Sequence, residues 1–117
     1  PHTAETKSIG LARGSFGIIG LETAIGVTYT ELVKSGELSI DDWVSCWTVG
    51  PAEVLGMEAP CLAVGKAADI TIVDIESEWQ VDANRFCSKS RNCPFEGMTL
   101  SGRAVYTICD GRVVYAE

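Results

Sequence analysis

Histidine is nearly missing from this chain, which carries only His2. Proton exchange by an imidazole near neutral pH is therefore confined to one place at the start of the sequence. Basic residues are scarce as well: nine lysines and arginines stand against sixteen acidic residues, for a formal charge of -7. No lysine or arginine cluster supplies the basic face that a phosphate backbone requires, so nucleic acid is excluded as a partner. Long apolar runs are lacking. None approaches the about 20 residues that cross a bilayer, and the start has neither a charged leader region nor a signal-type apolar core. The expectation is no membrane association and a cytoplasmic setting. The five cysteines, Cys46, Cys61, Cys87, Cys93 and Cys109, lack the spacing of a zinc ribbon, a finger or a redox pair. All are expected to be reduced structural thiols, with Cys46 and Cys109 acting as small hydrophobes in an amphipathic segment and a strand. An initiating methionine is also missing, and the abrupt Pro1-His2 opening is expected of a piece of a longer polypeptide.

What is abundant is apolar: 46% of the 117 residues are hydrophobic. That is rich for a domain of this size, which buries a limited fraction of its surface. Some apolar surface is expected to meet another chain or a further segment.

The chain is organised around Pro1 to Thr23, PHTAETKSIGLARGSFGIIGLET. It sets the histidine and a polar loop ahead of a glycine-punctuated turn. Phe16-Gly17 offers an aromatic face beside backbone that a ligand can approach closely, because glycine has no Cβ. These residues suggest one wall of a small-molecule pocket. Thr3 to Ser15 is polar, contains Gly10 and Gly14, and sustains no apolar period, so a loop is predicted. Its charges Glu5, Lys7 and Arg13 are expected to be solvated.

From Leu21 the apolar positions Leu21, Ala24, Ile25 and Leu32 predict a helix running to about Lys34 and stopping at Gly36. Glu22 reads as a capping charge in its first turn. Gly26 costs about 1 kcal/mol of propensity relative to alanine, which close packing would justify. Ser39 and Asp42 make a capping-box-like start, and Ile40, Trp43, Val44 and Trp47 follow at helical spacing with both tryptophans expected in the core. Pro51 at a first helical position predicts a short turn through Leu55, ended by Gly56. The period then changes to that of strands at Asp69 to Asp74, rich in β-branched residues. A short strand is predicted for Trp79 to Val81 and irregular structure for residues 82 to 102. Lys89 and Arg91 suggest an anion site or, more simply, pairs with nearby carboxylates. Ala104 to Cys109 and Arg112 to Tyr115 flank Asp110-Gly111, which predicts a β-hairpin with a type I′ turn, packed on the strand near Ile72.

Pro1-His2, then Phe16-Gly17-Ile18-Ile19-Gly20-Leu21-Glu22-Thr23-Ala24, resembles the end of the catalytic barrel in bacterial-type dihydroorotases of the amidohydrolase superfamily. Ser88 to Gly97, SKSRNCPFEG, resembles that family's Lys-Ser-x-Asn-x-Pro-Phe segment, and Gly65 to Asp74 its Gly-x-x-Ala-Asp strand motif. The resemblance implies an α/β fold: the C-terminal end of a TIM-type (β/α)8 barrel over residues 1–58, and part of a small β-sandwich over 59–117. It implies the reversible cyclisation of N-carbamoyl-L-aspartate to L-dihydroorotate in pyrimidine synthesis, with zinc held by ligands upstream of this chain and none within it. It carries substrate contact to His2, at the carboxylate, and to Phe16 and Gly17. The implied partners are the N-terminal remainder of the same enzyme, the small-molecule substrate, and a homo-oligomer or aspartate transcarbamoylase. A non-catalytic homologue serving aspartate transcarbamoylase as a structural partner is the alternative. A free-standing β-rich binding module is a third reading, and allantoinases and dihydropyrimidinases are nearer rivals.

Overall fold

A computed structural model describes residues 2–117. Pro1, the first half of the Pro-His pair, lies outside the described residues. Four short helices precede a three-stranded antiparallel sheet of order β1-β2-β3. The helices are α1 (Ala4–Ser8), α2 (Ala24–Thr28), α3 (Ile40–Trp47) and α4 (Val49–Leu55), and the strands are β1 (Ile70–Gln80), β2 (Thr99–Cys109) and β3 (Arg112–Ala116).

The first departure from expectation is α1, where a loop was predicted. Five residues are too few to display an apolar period, yet the caps are present: the Thr3 hydroxyl accepts from the Thr6 N–H, and Glu5 and Lys7 suit the two ends. The predicted helix from Leu21 begins at Ala24 and continues as a π turn over Tyr29–Val33, in which the Lys34 N–H reaches the Tyr29 carbonyl. That turn fits the helix to β2. Thr30 Oγ1 accepts from the Ser101 N–H at 2.9 Å and donates to the Ser101 carbonyl at 3.2 Å, and a Cβ on Gly102 would stand 3.0 Å from Tyr29 Cβ. Gly26 has the packing reason expected of it. A Cβ there would lie 3.0 to 3.2 Å from the Gly102 carbonyl, the Trp79 ring and Leu100.

Ser39 caps α3 as predicted, its hydroxyl accepting from the Asp42 N–H. Trp43 is buried, and its indole N–H donates to Thr28 Oγ1 at 2.9 Å. Trp47 is 42% exposed and stands edge-on to Trp43, so one tryptophan is a core anchor and the other is its cover. The helix α4 starts two residues before Pro51 and ends on Gly56, which takes the left-handed conformation.

The strands run longer than their sequence signals. β1 continues through Glu76-Ser77-Glu78 to absorb the separate strand predicted at Trp79, with a register irregularity between Asp74 and Glu78. There the Asp74 carboxylate accepts from the Glu76 and Ser77 N–H groups, at 2.9 and 3.1 Å, in place of ladder partners. β2 begins at Thr99, inside the region predicted to be irregular, because Gly102 at φ 86 lets the strand bend against Tyr29 and continue. The hairpin is as expected. Asp110 and Gly111 have φ 48 and 73, and Ile72 pairs with Tyr106.

The buried apolar core consists of Trp43, Ala52, Val81, Ala83 and Leu100. Large apolar side chains including Leu11, Leu21, Val54, Leu62 and Val64 stand in the open. The radius of gyration, 16.7 Å, exceeds the roughly 13 Å of a compact domain of about 100 residues. All five cysteines are free thiols, but Cys46 and Cys109 are exposed, so neither serves as a buried hydrophobe.

Candidate functional site

The N-terminal strip is held by polar contacts. Residues 10 to 15 fold back on α1 through the Ser15 N–H, which donates to the Thr6 carbonyl at 3.1 Å. Lys7, in the last turn of α1, then gathers the carbonyls ahead of it. Its ammonium donates to the Ser15 carbonyl at 2.6 Å and to the Gly17 carbonyl. This Lys7 is half-buried and tethered, where a solvated charge was expected.

The segment before β2 meets the strip from the other side. Asn92 Nδ2 donates to the Gly17 carbonyl at 2.9 Å, and the Asn92 carbonyl accepts from the Ile19 N–H at 3.0 Å. Side chain and main chain of one asparagine thus bond to residues 17 and 19. Ser90, buried, donates to the His2 carbonyl at 3.4 Å. Glu22 lies before α2 and not in its first turn. Its carboxylate accepts from the Cys87 and Ser88 N–H groups, at 3.0 and 3.1 Å, a clasp across 65 residues that corrects the capping role expected of it.

These contacts leave an open recess of about 510 Å³ between the two segments. His2, Lys7, Lys89, Arg91 and Asn92 line it. Among its lining residues three carry positive charge and none is acidic, although the chain as a whole is strongly acidic. Arg91 donates to the Ser88 and Ser90 carbonyls, so the carboxylate pairing expected of it is replaced by main-chain contacts that keep its cation at the recess. The structure ties the His2 and Gly17 carbonyls to one segment, through Ser90 and Asn92, and of the predicted site residues His2 alone lines the recess. The Phe16 ring does not line the recess, and that side chain is 91% exposed. Sequence reasoning left Lys7 and Asn92 out of the site. A lysine in the last turn of a short helix and an asparagine in the Lys-Ser-x-Asn-x-Pro-Phe-like segment were the available signals.

A zinc centre does not fit this chain's residues. His2 is the one imidazole, and among the described residues no group of three or more His, Cys, Asp or Glu side chains is placed to hold a metal ion. No helix among them is long and apolar enough to cross a membrane.

Comparison with known proteins gives this geometry a family. The chain is 44% identical over all its 117 residues to a dihydroorotase of Bacillus cereus (strain B4264) and 43% identical to one of Bacillus pumilus (strain SAFR-032). It spans 27% of the length of each. Among solved structures it superposes on an L-hydantoinase (dihydropyrimidinase) from Arthrobacter aurescens with a TM-score of 0.80, at 34% identity, covering 90% of this chain and 24% of that one. A D-hydantoinase (dihydropyrimidinase) from Thermus sp. shares the fold, with a TM-score of 0.87 at 23% identity over 99% of this chain and 26% of the other. Residues 6–114 match the amidohydrolase family. The chain belongs to that family and, within it, is dihydroorotase-like.

Proposed function

We propose that this chain is the substrate-gripping portion of a dihydroorotase, the cyclic amide hydrolase that interconverts N-carbamoyl-L-aspartate and L-dihydroorotate in pyrimidine biosynthesis in the cytoplasm. In the cyclising direction the carbamoyl nitrogen bonds to a carboxyl carbon and water leaves; ring opening is the reverse. Both molecules keep a carboxylate that takes no part in the bond change. That group is what a recess with cations and an imidazole, and without acidic side chains, is suited to hold.

The observation that carries the reading is the charge reversal at the recess: His2, Lys7, Lys89 and Arg91 converge there in a chain of net charge -7. Similarity to Bacillus dihydroorotases over the whole chain supports the same substrate class. In this reading His2 donates to the spectator carboxylate, while the Phe16 ring and the Gly17 backbone cover the ring of the substrate. Residues 1–58 close the catalytic barrel and 59–117 contribute to a small β-sandwich. The remainder of the polypeptide supplies any metal ligands, so the exposed Phe16, Leu11 and Leu21 face that remainder.

The test is His2→Ala in the full-length protein, assayed for turnover of dihydroorotate. A hydrogen bond to a charged group is worth about 1.5–3 kcal/mol, so kcat/KM should fall about 10- to 100-fold. Unchanged kinetics would remove His2 from the site.

A further inference from the structure

Residues 87–92 bring Lys89 and Arg91 to the recess, yet they form neither helix nor strand. Where their side chains stand depends on what fastens the segment from outside. Its far end is bonded to Gly17 and Ile19 through Asn92. At its near end the Glu22 carboxylate accepts from two successive amides, one oxygen to each: Cys87 at 3.0 Å and Ser88 at 3.1 Å. The tie in the middle, from Ser90 Oγ to the His2 carbonyl, is long at 3.4 Å. Other contacts are internal, with the Ser90 N–H donating to Ser88 Oγ and Arg91 to the Ser88 and Ser90 carbonyls. They move with the segment and do not place it. The Lys89 ammonium makes no ion pair among the described residues, so its position follows its backbone, one residue from the clasped Ser88 amide. Glu22 does not line the recess. It stands on a firm base, because the next residue, Thr23, is fully buried and its carbonyl accepts from the Val27 N–H at 2.8 Å.

We propose that Glu22 is a positioning residue of the recess: its carboxylate fixes the start of residues 87–92 to the base of α2 and so holds the Lys89 and Arg91 cations where they meet a substrate carboxylate. This rests on the reading of the recess as the carboxylate site. An acidic side chain thereby strengthens the binding of an anion, without touching it. By charge alone, removing Glu22 would favour a bound anion. As a clasp, its removal frees two amides, lets the Lys89 backbone shift and weakens that binding, so the two accounts differ in sign. Glutamine, with one carbonyl oxygen in place of two carboxylate oxygens, leaves its NH2 unable to accept and keeps one of the two bonds.

The experiment uses the full-length protein with dihydroorotate as the probe, and compares Glu22→Ala, Glu22→Gln, Lys89→Met and the double variant Glu22→Ala/Lys89→Met with His2→Ala. Losing both charge-assisted amide contacts should raise KM about tenfold in Glu22→Ala, and losing one should raise it about threefold in Glu22→Gln. The value of kcat and the unfolding midpoint should stay near wild type, because Glu22 touches neither the substrate nor the buried core. The double variant should lose less than the product of the two single effects, because Glu22 acts through the segment that carries Lys89. Unchanged or lowered KM in both Glu22 variants, with KM raised in His2→Ala, would overturn the positioning proposal alone; a lowered value would show that only the charge of Glu22 is felt. Unchanged KM in the Glu22 variants, Lys89→Met and His2→Ala alike would overturn the recess reading beneath it. Fully independent effects of Glu22→Ala and Lys89→Met would overturn the route through the segment and with it the proposal. A KM rise that tracks a falling unfolding midpoint, or failure of both Glu22 variants to fold, would make Glu22 a purely structural residue and overturn the proposal.

Discussion

The junction of α2 with β2 and the strip from His2 to Ile19 are built from opposite materials. At the junction Leu100 is fully buried, Gly26 and Gly102 bring backbones to contact distance, and Trp43 and Trp79 direct their indole N–H groups to Thr28 and the Gly102 carbonyl. No buried side-chain polar atom among the described residues lacks a partner. The strip buries none of its own residues and is shaped by Lys7, Ser90 and Asn92 acting on carbonyls. Close packing tolerates one arrangement, whereas individual hydrogen bonds fix which atoms point outward at small net gain in stability. The junction is thus where unfolding free energy is stored, and the strip is where, under the proposed function, the orientation of a ligand contact is set.

That contrast predicts effects that separate stability from binding. The largest should come from Leu100→Ala in the full-length protein, which removes the most buried large side chain and should cost about 2–5 kcal/mol of unfolding free energy. KM should not change; a raised KM with normal stability would break the contrast. Gly26→Ala comes next. Its new methyl would meet the Gly102 carbonyl, Trp79 and Leu100 at 3.0 to 3.2 Å. Overpacking of that kind costs about 1–3 kcal/mol, against the about 1 kcal/mol that alanine gains in helix propensity. A net stabilisation in chemical denaturation would show that the junction is looser than described.

The smallest effect concerns the irregularity in β1. Hydrogen bonds from Ser77 and then Glu76 to the Asp74 carboxylate hold its pKa below the ordinary value in the folded chain. A carboxyl lowered on folding contributes stability that is present above its unfolded pKa, about 3.9, and is lost as pH falls through the folded value. Asp74→Asn should therefore be slightly less stable than wild type near neutral pH, and the gap should close in acid below the ordinary carboxylate range. A gap that widens in acid, measured by unfolding at several pH values, would contradict this sign. Because Asp74 is solvent-accessible, the change should be the least of the three.

The two regions were also unequally legible. At the junction local chemistry pointed the right way: Gly26 in mid-helix implied a close neighbour, Ser39 and Asp42 marked a helix start, and Asp110-Gly111 fixed the hairpin that carries β2 into register with Ile72. What was missed there came from long-range demands. β1 crosses Glu76-Ser77-Glu78 because β2 lies beside it, and β2 starts early because Tyr29 packs on Gly102. In the strip the residue types were readable and their connections were not. A lysine does not announce that its partners are the Ser15 and Gly17 carbonyls, nor does Glu22 announce amides 65 residues away. Main-chain acceptors leave no trace in side-chain pattern, so Lys7 read as solvated. Phe16, expected at the wall, leaves its ring exposed among the described residues.

The account depends most on the claim that the recess beside His2 binds the carboxylate that takes no part in the reaction. The direct measurement is the kcat/KM ratio for dihydroorotate over the same ring without its carboxylate, in the full-length protein and in His2→Ala. The account predicts a strong preference for the carboxylated ring that shrinks about 10- to 100-fold in the variant. Equal use of both rings by the wild-type protein, or a preference untouched by His2→Ala, would contradict it.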